Sequence, residues 1–435
     1  MIKDKFQYLV IGVFVLIAII GIAMFATGGK NKNNSTGPNG TVTMWGTISP
    51  TYMSKQLGEY TSDKETYGVT YVQKSPLTFR QDLIEAFASG KGPDLIIITP
   101  ELLWSLHDKI TEIPFASYPQ RSFIDGYISG AQVFLSSTGV SALPFRVDPL
   151  VMYYNRTMLE SKFVINPPKY WDDMYTFVQS ITERNTDNII QTSAVSLGAW
   201  DNIENAKDIL ATLLLQSGVT ITQRTENSLE VTLKDSVGNK SSSVLPAQST
   251  VTYYSEFANP SSLYYSWNEA KPNSRDAFIS GTLALYFGYA SELPTIRAKN
   301  PNLDFDIAMM PQIESVATRA VYGDMYAIAV SKFSKNPITA VTVARDITDK
   351  AFVESIASND YAAPMLKSLI GVKTASDPYR TTIYQSALVA KSWIDPNPVT
   401  SDPVFKNMIK AYTSGAKDAR RAVEEADENL SLLVK

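Results

Sequence analysis

Hydrophobic and polar positions along the first third of the chain predict strands and helices in turn. A short alternating strand ends at a glycine, helical spacing follows twice, and the run PDLIIIT is apolar almost throughout, as in a strand covered on both faces. This order predicts an α/β lobe with a mostly parallel sheet. The predicted elements are strand 41–46, a helix at about 52–67, strand 68–75, helix 77–90 and strand 93–99.

The carboxyl ends of these strands are the first place to look for a ligand site. In open α/β sheets, ligands bind beyond the carboxyl ends of the strands. The pattern therefore directs attention to Gly46-Thr47 after the first strand and to Thr99-Pro100-Glu101 after the third.

The stretch LPFRVDPLVMYYN, Leu143–Asn155, breaks an apolar run with a charged pair. Arg146 and Asp148 interrupt what otherwise reads as a buried strand, and the apolar run resumes before two tyrosines and an asparagine. No local structural reason accounts for Asp148 in this position. Asp148 is therefore the strongest single candidate for a functional residue.

The rest of the chain is richer in helices. The middle, at about 167–299, contains helical patterns and one helix–strand pair, and the last third begins with two strand-like segments before helices resume. The predicted elements are helices from Asp172 and from Asn205 to Gly218, a helix ending at Gly281, strand 282–287, strands in FDIAMMP and RAVYGDMYAIAVS, a helix in NPITAVTVARDITDK and two final helices broken at Gly415.

The N-terminal segment has the length of a membrane span. Tyr8–Ala26 carries no charge and follows Lys3 and Lys5, and it is longer than the roughly 7–15 apolar residues of a signal-peptide core. The sequence AMFATGG is a poor cleavage site, so we favour a retained membrane anchor, over 1–27, above a cleaved signal. Residues 28–40 are polar and rich in Gly and Asn, which predicts a flexible linker.

Composition narrows the possible chemistry. A chain of 435 residues exceeds one ordinary domain, so two lobes are expected, and 44% hydrophobic with 19% charged residues is typical of globular proteins. The net charge of −4 comes with no basic stripe, which argues against nucleic-acid binding. The absence of cysteine excludes disulfides, thiol catalysis and a lipidated N-terminal cysteine.

Enzyme and metal chemistry find little support. The single histidine, His107, lies at a predicted helix end, no G-x-S-x-G elbow surrounds a serine, and no phosphate-binding loop is present. Paired carboxylates for glycoside hydrolysis stay open, because their spacing is three-dimensional. Paired tyrosines such as Tyr153-Tyr154 can bind ferric iron through their phenolate oxygens, so iron is a further alternative as the ligand. We nevertheless expect no metal or other cofactor.

Several motifs in order give the chain a family resemblance. The segments that carry it are TVTMWG, ASGKGPDLIII, LPFRVDPLVMYYNRTMLE, FVINPPKYWDDM, DAFISGTLALYFGYA, YGDMYAIAVSKFSKNPITAV and YTSGAKDARRAVEEADENL. From Thr41 onward the chain resembles the extracellular solute-binding proteins of ABC importers, of the type that includes maltose-binding protein. Each motif is weak alone, but their shared order over most of the chain is specific.

The resemblance implies two α/β lobes in a periplasmic-binding-protein-like fold, with ligand in the cleft between them and closure by hinge rotation. It places lobe 1 at 41–147 plus about 308–335, and lobe 2 at 148–307 plus about 336–435. It also implies that the chain crosses between lobes at Arg146–Asp148, whose side chains would face a wet cleft. The expected protein is a monomeric receptor outside the cytoplasm, held by a single membrane pass, that passes its solute to ABC permease subunits.

Aromatic residues, at 11% of the chain, favour a sugar as the solute. A sugar presents an apolar face and a rim of hydroxyls, so its site needs flat rings together with acids, amides or arginines. The residues that the sequence nominates are the aromatics Trp45, Trp200, Tyr289, Tyr322 and Trp393 and the polar partners Glu101, Arg146, Asp148, Asp201 and Asp324.

Two other functions stay open from the sequence. A ligand-binding sensor would use the same fold without transport, and a carbohydrate-active enzyme would use a two-lobed scaffold for catalysis. The sequence does not name the ligand among sugars, peptides and other solutes.

Overall fold

The computed structural model describes residues 39–61, 67–225, 228–235, 245–316, 318–371 and 377–434. The predicted membrane anchor lies outside these residues. Within them, no helix combines the length and the apolar character that crossing a bilayer requires.

Strands and helices alternate along the described chain. The strands are β1 (Gly40–Gly46), β2 (Tyr67–Gln73), β3 (Leu95–Ile98), β4 (Ile110–Thr111), β5 (Ile113–Pro114), β6 (Gly139–Val140), β7 (Leu143–Asn155), β8 (Glu183–Arg184), β9 (Ile190–Val195), β10 (Thr222–Arg224), β11 (Leu229–Val231), β12 (Leu283–Tyr289), β13 (Phe305–Met309), β14 (Val321–Ser331), β15 (Ala363–Pro364) and β16 (Ala390–Lys391).

The helices complete two α/β lobes. They are α1 (Pro50–Thr61), α2 (Phe79–Ala88), α3 (Pro100–Ser105), α4 (Gln120–Gly126), α5 (Arg156–Ser161), α6 (Asp173–Ile181), α7 (Ala206–Gln216), α8 (Pro246–Glu256), α9 (Ser274–Ile279), α10 (Leu293–Lys299), α11 (Pro337–Asp346), α12 (Lys350–Asn359), α13 (Lys367–Ile370), α14 (Pro378–Leu388), α15 (Pro398–Thr413) and α16 (Ala419–Leu433), with short 3₁₀ helices at Ser129–Phe134 and Ala290–Glu292.

The first lobe is built on the sheet order β2-β1-β3-β14-β7. Strand β1 pairs in parallel with β2 and β3, and β14 closes the lobe's sheet antiparallel to β3. Residues 95–98 are buried, as expected for a strand covered on both faces. The mostly parallel sheet predicted for this lobe is therefore present, with antiparallel strands added where the chain returns.

The second lobe continues the same sheet from β7 through β12, β9 and β8. Strand β12 runs antiparallel to β7 and parallel to β9, and β13 pairs with the second half of β7. Helices α8, α15 and α16 pack together on this lobe. The two-lobed α/β fold is confirmed.

Two predicted boundaries differ from the structure. The predicted helix at about 52–67 is too long, because α1 ends at Thr61 and Tyr67 begins β2, where it pairs with Gly40. The predicted lobe boundary near 336 assigns α11 to the second lobe, whereas α11 packs on β1 and β14 in the sheet of the first. Sheet pairing and helix docking decide both points, and neither is visible in local periodicity.

Candidate ligand-binding cleft

Strand β7 is the structural centre of the candidate site. It is one continuous strand of 13 residues, and all but Tyr154 are buried. Its first half pairs with β14 and its second half pairs with β12 and β13, so the strand passes from one lobe into the other. The break at Arg146–Asp148 lies where these two sets of partners meet.

The second crossing strand places another carboxylate beside this break. In the antiparallel register of β7 and β14, Asp324 lies opposite Asp148 and Tyr326 lies opposite Arg146. The guanidinium of Arg146 also lies 4.8 Å from the centre of the Tyr326 ring. The two strands therefore bring three charged side chains to one position between the lobes.

Arg146 holds two carboxylates at this junction. Its Nε donates to Asp360 Oδ2 at 2.6 Å, and its Nη2 lies 3.6 Å from Asp148 Oδ2. The other Asp148 oxygen accepts from the backbone N–H of Ser291 at 3.1 Å. Burial raises the pKa of Asp148 to about 6, although Arg146 and the Ser291 hydrogen bond act in the opposite direction.

The expectation that Arg146 and Asp148 face a wet cleft is wrong for this arrangement. Their exposed fractions are 9% and 5%. Asp360, Tyr326 and the backbone of Ser291 surround them instead of solvent. The charged pair is tolerated inside the strand because each member has a charged or hydrogen-bonding partner.

A second group of charges joins the two lobes. Lys207, near the start of α7 in the second lobe, lies 4.0 Å from Glu101 Oε1 of α3 in the first lobe. The Lys207 ammonium also donates to Asp395 Oδ2 at 2.9 Å. Because Glu101 and Lys207 approach to ion-pair distance, the lobes are closed on each other here.

Carboxylates outnumber cations across the site. Six acids, which we call the acidic cluster, share the cations Arg146 and Lys207: Glu101, Asp148, Asp208, Asp324, Asp360 and Asp395. Burial raises the pKa of Glu101 to about 7. Burial, and then the charges of Glu101, Asp208 and Asp148, raise the pKa of Asp324 well above its ordinary value. The raised pKa values of Glu101 and Asp324 indicate a shortage of positive charge beside them, which cationic or hydroxyl donors from a ligand would relieve.

Three of the predicted aromatics lie beside the acidic cluster. Tyr289 donates its hydroxyl to Asp208 Oδ2 at 2.8 Å, and its own backbone N–H donates to Glu292. Tyr322 is buried one residue before Gly323 on β14, and the charges of Glu101 and Asp208 add to burial in raising its pKa. The Trp393 ring lies 6.0 Å from the Lys207 ammonium and packs edge-on against Phe405.

Trp393 also lines a second space between the lobes. A groove of about 1130 Å³ runs between the 3₁₀ helix Ser129–Phe134 of the first lobe and the end of α7 with β10 of the second. Gln216, near the end of α7, lines this groove, and Trp393 belongs both to the groove and to the surroundings of Lys207. Arg224 reaches from β10 into the first lobe, 3.4 Å from Glu112 Oε1 and 3.4 Å from Ser141 Oγ.

Other predicted residues have structural or surface partners. Asp201 is half-exposed and pairs with Lys406 and Lys410 on α15, which makes it part of a surface ion-pair group. Trp200 is buried in the hydrophobic core. Trp45, at the end of β1, lies beneath the ammonium of Lys74 at 3.7 Å.

The tyrosine pair of β7 belongs to the framework of the second lobe. Tyr153 is fully buried, packs on Phe278 and Tyr286, and donates its hydroxyl to the Tyr289 carbonyl at 2.7 Å. Tyr154 lies on the other face of the strand. Within the described chain, no group of three or more histidine or acidic side chains is arranged to hold a metal ion.

Sequence reasoning missed Lys207, Asp208, Asp360 and Asp395. One signal was available, because Lys207 stands in the first turn of α7, where the helix dipole disfavours a cation. A lysine in that position needs another stabilising partner, and Asp395 and Glu101 supply it. Asp360 and Asp395 lie in loops distant in sequence from β7, and no local pattern marks them.

Known structures share this architecture. The cyclic alpha-maltosyl-1,6-maltose binding protein from Arthrobacter globiformis superposes with a TM-score of 0.73 at 15% identity, covering 91% of this chain and 99% of that chain. A cyclo/maltodextrin-binding protein complexed with maltotetraose gives a TM-score of 0.72 at 14% identity, covering 91% and 97%. The GacH receptor of Streptomyces glaucescens gives 0.68 at 15% identity, covering 91% and 98%. At these identities the likeness shows the fold.

Sequence comparison gives the family. No curated protein sequence matches the chain. The family model described as bacterial extracellular solute-binding protein matches residues 52–391, well over half of the chain, and confirms the resemblance seen in the motifs. The chain belongs to the bacterial extracellular solute-binding proteins.

Proposed function

We propose that this chain is a membrane-tethered receptor that captures an oligosaccharide between its lobes and delivers it, chemically unchanged, to an ABC permease. The observation that carries the proposal is the acidic cluster, which gathers acids from both lobes and both crossing strands beside Tyr289 and Trp393. Structural neighbours with this fold include proteins complexed with maltotetraose and with acarbose, which supports a saccharide ligand.

The chemistry of the acidic cluster suits a ring of hydroxyl groups. Carboxylates accept hydrogen bonds from hydroxyls, and such charge-assisted bonds are shorter and stronger than neutral ones. A ligand that enters between Glu101 and Lys207 breaks their direct contact. Each lobe then contacts the ligand instead of the other lobe. Closure then occurs around the ligand because the crossing strands β7 and β14 keep the two halves of the site connected.

A titration of the purified chain with maltotetraose, a cyclic glucose oligosaccharide and mannobiose tests this proposal directly. Binding to the folded state alone adds about 2.7 kcal/mol of stability at a ligand concentration of 100 times Kd. We expect at least one of these oligosaccharides to raise Tm and to be recovered intact. A shift with a peptide or with Fe(III) but with no saccharide would contradict the proposal, and glycoside turnover would point to the enzyme alternative.

Asp148→Asn tests the role of the crossing strand in this binding. Asp148 is buried while the lobes meet, so it reaches a ligand only when the lobes part to admit one. A hydrogen bond to a charged group contributes about 1.5–3 kcal/mol, so we expect a roughly tenfold to hundredfold loss of oligosaccharide affinity by calorimetry. Asp201→Asn is the matched control, because Asp201 pairs with surface lysines on α15. Equal affinities in the two variants would make Asp148 a scaffold residue.

A further inference from the structure

The end of the first lobe that lies opposite the acidic cluster exposes apolar and basic side chains together. Phe333 and Ile338 have exposed fractions of 50% and 59%. Lys332 and Lys335 are exposed beside them in sequence, and Lys91 follows the helix whose Phe87 contacts Phe333. We call Lys91, Lys332, Phe333, Lys335 and Ile338 the tether-side surface.

The loop that presents this surface is firmly held. The Phe333 ring lies 5.3 Å from the Phe87 ring, and its backbone N–H donates to Ser331 Oγ at 3.1 Å. The Ser334 hydroxyl donates to Asp94 at 2.6 Å, and the backbone N–H of Lys332 donates to the Lys109 carbonyl at 2.8 Å. Phe333 is thus displayed outward by a fixed backbone.

The charge of the tether-side surface is positive. Among the described residues, no ion pair joins Lys91, Lys332 or Lys335 to a carboxylate. The nearby Asp94 is turned inward, where it accepts from Ser334 and Thr43. Asp108 is paired with Lys109, whose carbonyl accepts from the backbone N–H of Lys332. Apolar side chains beside lysines are suited to an anionic bilayer surface. The lysines contact the lipid headgroups, and the apolar side chains enter the boundary between headgroups and acyl chains.

The chain reaches the folded body at this same place. The backbone N–H of Asn39 donates to Thr339 Oγ1 at 2.9 Å, and Thr339 Oγ1 donates back to the Asn39 carbonyl at 2.8 Å. Residues 27–38 separate Asn39 from the apolar segment that ends at Ala26. A segment of twelve residues reaches at most about 40 Å when fully extended.

We propose that the tether-side surface docks on an anionic lipid bilayer. The inference rests on the membrane tether of the proposed function, since a short tether keeps this surface close to the bilayer and makes even weak contacts effective. Strands β1 and β14 run between the tether-side surface and the cleft, so a docked first lobe holds the cleft about 20 Å from the surface. The second lobe then stays free to rotate about the hinge.

Site-directed fluorescence on the full chain in vesicles tests the proposal, and the absence of cysteine makes single labels clean. The probe position is Ile338→Cys, labelled with an environment-sensitive dye. The matched control is Ile165→Cys, which is 92% exposed on the second lobe. In vesicles of phosphatidylglycerol that carry a lipid-bound quencher, we expect quenching at position 338 at least threefold stronger than at position 165.

A charge-reversal pair separates docking from simple proximity. Lys332→Glu with Lys335→Glu, made in the Ile338→Cys chain, should reduce the quenching to the level of the control, as should phosphatidylcholine vesicles or molar salt. A chain that floats with vesicles but shows equal quenching at both positions overturns the docking surface alone. A chain that does not float with vesicles refutes the tether and with it this proposal, whereas oligosaccharide affinity measured in parallel reports on the receptor function.

Discussion

At the scale of single residues, the cleft contains more buried carboxylates than nearby cations can neutralise. Arg146 and Lys207 each serve two carboxylates, yet Asp208 and Asp324 add further negative charge close by. The pKa of Glu101 is raised to about 7 and that of Asp148 to about 6, in both cases chiefly by burial. Protonation of Glu101 and Asp148 therefore depends on whether the lobes are closed over them.

The raised pKa of Glu101 predicts that the stability of the closed chain falls as pH rises. Between about pH 4, the ordinary pKa of a glutamate, and about pH 7, the closed form holds more protons than a form whose cleft is hydrated. The closed form therefore loses stability as pH rises through this range. We expect Tm of the unliganded chain to decline from pH 5 to pH 7.5. Glu101→Gln should flatten the profile and raise Tm at pH 7.5 by roughly 2 °C, the scale of about 1 kcal/mol in a large domain.

Glu160→Gln is the control for this measurement, because Glu160 lies on the exposed face of α5. A thermal profile recorded across pH for the native chain and both variants gives the comparison. Parallel profiles for the native chain and Glu101→Gln would show that Glu101 is hydrated and charged in the closed form.

At the scale of elements, the crossing strands depend on close packing from the first lobe. The 3₁₀ helix Ser129–Phe134 lies directly against β16 and β14. A Cβ atom on Gly130 would come within 2.3 Å of the Ala390 carbonyl oxygen and 2.3 Å of the Met325 methyl group. Glycine is required here because no side-chain atom fits between the helix and these strands.

Gly130→Ala should therefore destabilise the fold. We expect a loss of about 1–3 kcal/mol in the free energy of unfolding, the usual range for overpacking a tight contact, as measured by urea denaturation. Gly126→Ala, at the end of α4, is the matched control, because a Cβ atom there meets nothing within 4 Å. Similar stabilities for the two variants would mean that the helix shifts freely away from β16.

At the scale of the whole molecule, partly exposed ion pairs between the lobes favour the closed arrangement. Glu101 and Lys207 meet beside the acidic cluster, and Arg224 meets Glu112 and Ser141 beside the groove. Both are partly exposed contacts between lobes that β7 and β14 keep joined. Each contact thus biases the balance between open and closed forms by a modest amount.

Arg224→Ala should shift the unliganded protein toward the open form. A partly exposed ion pair contributes up to about 1 kcal/mol, so the open-to-closed ratio should rise by as much as about fivefold. We expect a larger radius of gyration by small-angle X-ray scattering and a weaker oligosaccharide affinity of similar proportion. Gln223→Ala, the exposed neighbour on β10, should leave both unchanged.

Scattering curves that coincide for Arg224→Ala and the native chain, with equal affinities, would show that the contact does not influence closure. Oligosaccharide should return the Arg224→Ala variant to the compact form at a higher concentration than the native chain needs, because the ligand then supplies the closing free energy.

The sequence by itself determined the local elements and the family. Helical and alternating periodicity gave most strands and helices, because each lobe buries the faces that these patterns mark. The charged break in β7 was visible for the same reason, since Arg146 and Asp148 violate an otherwise apolar strand. Periodicity could not show that Tyr67 leaves its predicted helix to pair with Gly40, because that preference comes from the sheet.

Only the tertiary structure decided which residues share the cleft. Asp360 and Asp395 join Arg146 and Lys207 from distant loops, and Trp200 turns inward to the core while Asp201 pairs on the surface. The register of β7 against β14 sets Asp324 opposite Asp148, and register depends on pairing partners that are far apart in the chain. Local sequence fixes which segments form strands and helices, whereas long-range packing selects the charges that those segments bring together.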